Sequence, residues 1–152
     1  IQSYYTYYDS SGSNYYCISS SDDKNTLSWT KGSVSSMNTS DIDPKFVFYF
    51  HRDDTKAGGV TGYNNVCAGA WKNVATDKFV KEDFKFGSEN EAVYMTIANK
   101  SSYYAEFFLR DTGTYFCYIS GVPGWNSWAN LYQYPYRWQI YPVTATPKTS
   151  NQ

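Results

Sequence analysis

Short β-prone runs, broken by polar and turn-forming segments, make up most of this chain, and no stretch carries a helical period of convincing length. Residues 4–8 and 14–16 read as strands about the polar turn 9–13, and residues 26–31 as a short strand between the polar segments 19–25 and 32–44. Residues 45–51 are apolar on both faces, which predicts either an interior strand or one whose outer face meets a partner. Residues 56–62 read as a glycine-containing loop that leads to a short strand within 64–71. Residues 78–86 alternate in part, and residues 91–98 alternate cleanly, with Val93, Met95 and Ile97 on one side. After a turn at 99–102, residues 103–109 are β-prone, 115–120 form a strand, 121–135 read as an aromatic loop and 136–142 as a last strand. Residues 143–152 lack apolar bulk and read as a stalk or linker, which leaves residues 1–142 as one domain. No internal repeat is visible.

Composition sharpens this to an all-β expectation. Aromatic residues reach 20% and charged residues only 18% of the 152, a balance suited to pleated, half-buried surfaces. The net charge is −1 and the basic residues are scattered among acidic ones, so the electrostatic footprint of nucleic-acid binding is absent. No run of about 18 apolar residues occurs, so no membrane insertion is expected. A start at Ile1 without Met suits a processed chain, and the acceptor triplets at Asn38 and Asn99 suit glycosylation; both point to an extracellular, cell-surface or secreted location.

The segment Arg110-Asp111-Thr112-Gly113-Thr114-Tyr115-Phe116-Cys117 carries the Asp-x-Gly-x-Tyr-x-Cys order, with Cys17 and Trp29 upstream. This set resembles strands F, B and C of an immunoglobulin variable-type (V-set) domain. The resemblance implies a two-sheet β-sandwich, a Cys17–Cys117 disulfide packed on Trp29, structural roles for Asp111 and Tyr115, and a leftover Cys67. The long interval between Cys17 and Cys117 then requires an insertion between strands C and E, for which residues 56–71 are the candidate. Residues 103–109 have two readings: an elongated E–F connection, or a strand of their own pairing with 115–120. The second makes a meander and leads to the alternative fold, a lipocalin-like antiparallel barrel.

Chemistry is sparse. Catalysis would rest on the single histidine, His51, and no metal-ligand spacing, phosphate loop or calcium loop is present, so no enzyme activity, metal or cofactor is expected. The acidic pairs Asp22-Asp23 and Asp53-Asp54 read as solvated loops. The aromatic segment has the composition of a binding loop, and Trp125, Asn126, Trp128, Tyr132, Tyr134 and Tyr136, with Phe48 on the sheet, are the candidate partner-binding residues. Against this stands a core role for Trp125 and Trp128, and a lesser reading has the aromatics stacking on sugars. The expected function is non-catalytic protein recognition or adhesion, self-association included; the alternative is a small-ligand carrier.

Overall fold

The computed structural model describes residues 4–9, 16–31, 43–56, 65–101, 104–109, 114–119, 122–127 and 138–142; for some of these, Cys17, Trp29 and Asn99 among them, only the backbone is described. Strands β1 (Tyr4–Asp9), β2 (Tyr16–Ser20), β3 (Leu27–Lys31), β4 (Phe48–Arg52), β5 (Asn65–Asn73) and β6 (Lys78–Val80) occupy the first half. They are followed by β7 (Phe86–Gly87), β8 (Met95–Ser101), β9 (Tyr104–Leu109), β10 (Thr114–Ile119), β11 (Val122–Ser127) and β12 (Trp138–Pro142). Every pairing among them is antiparallel.

Followed from neighbour to neighbour, β1, β4, β5, β8, β9 and β12 return to β1, so six strands close a ring. The other six form three hairpins, β2–β3, β6–β7 and β10–β11, each joined to the ring strand before it. One four-strand unit, ring strand, hairpin, ring strand, therefore occurs three times along the chain. Closing the ring leaves its strands without free edges, which removes the usual hazard of an exposed strand.

The registers repeat as well. At the joins Tyr8 faces Cys17, Lys72 faces Phe79 and Phe108 faces Tyr115. The next residue in each hairpin is Ile18, Val80 or Phe116, and all three have 0% exposure within one core cluster. Around them the core is aromatic: Trp71 meets Phe107 edge-on at 4.8 Å and Phe48 at 6.0 Å, and Phe116 lies 5.0 Å from Trp138. The Trp138 indole donates to the Phe116 carbonyl at 3.1 Å, so the polar end of a wholly buried ring is satisfied.

The first two hairpins end in the same turn. Lys24 and Phe84 adopt left-handed backbone (φ 62° and 64°), and their amides donate to Ser21 and Lys81 carbonyls at 3.0 and 2.9 Å. Asp23 and Asp83 stabilise these turns by accepting from the amides of Asn25 and Lys85 at 3.0 and 3.1 Å. The hairpins then interlock. Leu27 donates to the Phe84 carbonyl at 2.6 Å, and Phe86 to that of Asn25 at 3.3 Å.

The all-β expectation holds, and residues 103–109 follow the second option, since Leu109 pairs with Thr114. Three assignments need correction. Residues 65–71 of the expected insertion belong to β5, a ring strand paired along both edges, and 57–64 lie outside the described residues. Within the expected aromatic loop 121–135, Val122–Ser127 is a strand paired with β10 along its whole length, and 128–135 lie outside the described residues. Cys117 is a buried free thiol, so the bridge to Cys17 implied by the resemblance is not formed; β2 and β10 belong to different hairpins and do not pair. Burial pushes the Cys117 thiol up to about 11, well above its usual range. The segment 143–152 and Asp111 lie outside the described residues.

Because Trp71 touches Phe48 and Phe107 on two other ring strands and Phe116 of the third hairpin, Trp71→Ala should lower stability by about 3–5 kcal/mol, read as a reduced denaturant midpoint in a chemical unfolding curve.

Candidate functional site: a groove beside the second hairpin

The sequence-derived binding residues divide sharply. Phe48 is wholly buried, so its assignment to a partner surface is corrected: it fills the ring interior against Trp71. Trp125 is half-buried on β11, donates its indole N–H to the Glu82 carbonyl at 2.9 Å and stacks on Phe84 at 5.3 Å. It therefore ties the third hairpin to the second, which is the core role. Asn126 lies beside it on the same strand and accepts from the Ser127 amide at 2.9 Å. Trp128, Tyr132, Tyr134, Tyr136 and Asn38 lie outside the described residues. Trp29 sits on β3 opposite Ile18, Asn99 on β8 opposite Asn65, and the Tyr115 ring 4.3 Å from Phe108.

The titratable groups are held in local contacts. His51 lies 3.5 Å from Glu89 and edge-on to Phe79 at 6.3 Å. Asp53 accepts from the Thr55 hydroxyl and amide, and the hydroxyl foremost holds its carboxyl below the usual range. Asp54 is lowered chiefly by its bidentate contact with Arg52, at 2.8 to 3.1 Å. Among the described residues no group of three potential ligands converges on a metal position, and no helix is long and apolar enough to cross a membrane.

What the structure adds is a groove of about 530 Å³ bounded by the end of β5, the β6–β7 hairpin and a short 3₁₀ turn, Glu89–Glu91. Phe79 and Phe86 give it an apolar floor, buried and half-buried respectively. Lys72 and Asp77 pair at 2.9 Å on one wall. The opposite wall is built by Ser88, whose amide and hydroxyl both donate to Glu91 Oε1, at 3.0 and 3.1 Å. These bonds, the backbone one foremost, with Lys81 nearby at 3.9 Å, hold the Glu91 carboxyl below its usual value. A Cβ on Gly87 would stand 2.7 Å from Lys81 Cδ and 2.9 Å from Glu91 Oε1, so both side chains would have to shift to admit one. Sequence reading passed over this wall, although the Ser88-x-x-Glu91 spacing of a capping box was available as its signal.

The groove combines an aromatic floor with a rim of both charge signs, the anatomy of a small recognition surface. The chain matches no protein-family model, no curated protein and no solved structure.

Two outcomes follow from this geometry. Trp125→Ala should lower the melting temperature, because it removes both the bond to Glu82 and the stack on Phe84; Trp125→Phe, which keeps the ring, should cost about 1 kcal/mol. The second concerns acid. Glu91 is depressed in the folded state from 4.5, so its contribution is complete above that unfolded value and is lost as pH falls through the folded one. Glu91→Gln should therefore flatten the acid limb of the stability profile, measured by urea midpoints between neutral and strongly acidic pH.

Proposed function

We propose that this chain is a threefold β-barrel module of β-trefoil type which recognises another protein and carries out no chemistry, at the cell surface or in secreted form. The observation that carries the architecture is the pairing circuit: six ring strands, with a hairpin inside each of three successive units. A V-set-like sandwich divides its strands between two facing sheets, and a lipocalin-like barrel runs up and down in chain order. The ring order β1, β4, β5, β8, β9, β12 supports neither division as well.

Surface recognition is favoured over the carriage of a small ligand because the ring interior holds Trp71, Trp138, Phe48, Phe107 and Phe116, each under 2% exposed. A carrier needs room there. With the interior filled by side chains, binding falls to the outer surface. The groove beside the second hairpin offers an apolar centre and a polar rim, and no nucleic-acid or cofactor chemistry enters this reading.

The test is a binding survey of the immobilised, intact chain against purified extracellular proteins, this chain included, alongside native mass spectrometry of freshly purified material. We expect a protein binder whose affinity falls at least tenfold on Phe86→Ser, by loss of about 1.4 kcal/mol or more. A chain that engages no protein yet retains a co-purified small apolar ligand would overturn the proposal in favour of the carrier.

A further inference from the structure

We propose that the groove beside the second hairpin is where two copies of this chain meet about a twofold axis. The proposal rests on the protein-recognition reading above and names the partner. Its basis is the commitment of the charges around the groove. Lys72 is held by Asp77 at 2.9 Å, Glu91 is held by Ser88, and Lys81 lies within 4 Å of both Asp83 and Glu91. Two exposed charges of opposite sign remain. Lys78, on β6, has no ion partner among the described residues; Glu89, on the 3₁₀ turn, has only His51 there, at 3.5 Å.

In a twofold contact, residue i of one copy meets residue j of the other, and j meets i. A groove that carries one base without an ion partner among the described residues and one acid held there only by His51 is complementary to itself under that operation. Lys78 of one copy then faces the partner's Glu89, and the reciprocal pair forms at the same time. A partner of one charge sign would satisfy only half of this arrangement. Phe86 supplies the apolar centre over the Phe79 floor, inside the charged rim. The net charge of −1 adds little long-range repulsion between copies. A patch of this size is small against the roughly 800 Å² per partner of a stable complex, so the contact is weak, with a dissociation constant in the micromolar range or above.

The test uses intact chains in sedimentation equilibrium over a concentration series, at low and high salt. Glu89→Lys and Lys78→Glu each replace two attractive pairs by two repulsive ones, so each variant alone should associate at least tenfold more weakly than the wild type. Mixed in equal amounts they should form a heterodimer about as tight as the wild-type dimer, since both reciprocal pairs are then restored. Asp22→Lys, the same change of charge at an exposed position in the first hairpin, should leave association unchanged, and high salt should weaken it. All three positions are exposed, and unchanged near-ultraviolet circular dichroism checks that each variant is folded. A wild type that stays monomeric throughout, single variants that dimerise normally, or a mixture that fails to restore association would each overturn the proposal. Any of these, in a chain that still binds a different protein through Phe86, removes the twofold contact and leaves the recognition reading standing.

Discussion

The structure depends on a single packing constraint: each of three hairpins must deliver one large apolar side chain to a shared core. Ile18, Val80 and Phe116 meet that constraint at equivalent positions, each one residue beyond the join to its ring strand, and each without solvent exposure. Three different side chains at equivalent places mean that the ring strands must adjust. In the third unit, which has the largest plug, Phe116 touches Phe107, Trp138, Trp71, Phe84 and Trp125. Edge-to-face and offset contacts of this kind are each worth about 0.5–1.5 kcal/mol beyond the area they bury, so the cluster favours one specific arrangement over a general collapse.

A second layer of order follows from how the hairpins hold one another. Phe84 stands in left-handed backbone, a conformation that costs a bulky residue roughly 1–2 kcal/mol. Tertiary contacts offset that cost. Its carbonyl accepts from Leu27 of the first hairpin while its ring stacks on Trp125 of the third, so one strained residue joins all three hairpins. Lys24 occupies the corresponding turn position in the first hairpin with the same geometry but with an exposed side chain. The turn shared by the first two hairpins is thus kept in the backbone even where the side-chain role is not shared.

That distinction explains what sequence reading reached. Alternation and turn residues are enough for an all-β chain, for the middle of β8 though for neither of its ends, and for the option that residues 103–109 form their own strand. The threefold repeat escaped because it resides in register. Positions 18, 80 and 116 hold Ile, Val and Phe, and their cross-strand partners are Trp29, Phe86 and Trp125, so little identity survives for a repeat search to find. A common trace is an Asp at the third position of both turns, Asp23 and Asp83, each before a left-handed residue. Segment 122–127 read as a loop because Pro123, Gly124 and Asn126 are turn formers; pairing of all six residues with β10 overrides that local preference. The run 45–51, apolar on both faces, points to a partner surface at Phe48, whereas Phe46, Val47 and Phe48 are buried and Tyr49 and Phe50 are partly so.

The same reasoning bears on the proposed function. When an architecture repeats three times, features common to the units serve the fold, and features peculiar to one unit are free to serve something else. A 3₁₀ turn precedes the second ring strand of the unit in both described cases, Pro44–Phe46 before β4 and Glu89–Glu91 before β8, so the turn itself belongs to the scaffold. Its chemistry differs between the two. The first turn buries Phe46 and is capped by Asp43; the second buries nothing and presents Glu89 and Glu91 toward Phe79 and Phe86 across Gly87. A smaller recess of about 340 Å³ lies between the first hairpin and its own 3₁₀ turn, lined by Ser20, Asp22, Lys24 and Asp43. What sets the second groove apart is its aromatic floor of Phe79 and Phe86, and the proposed recognition rests on that difference rather than on the shared barrel.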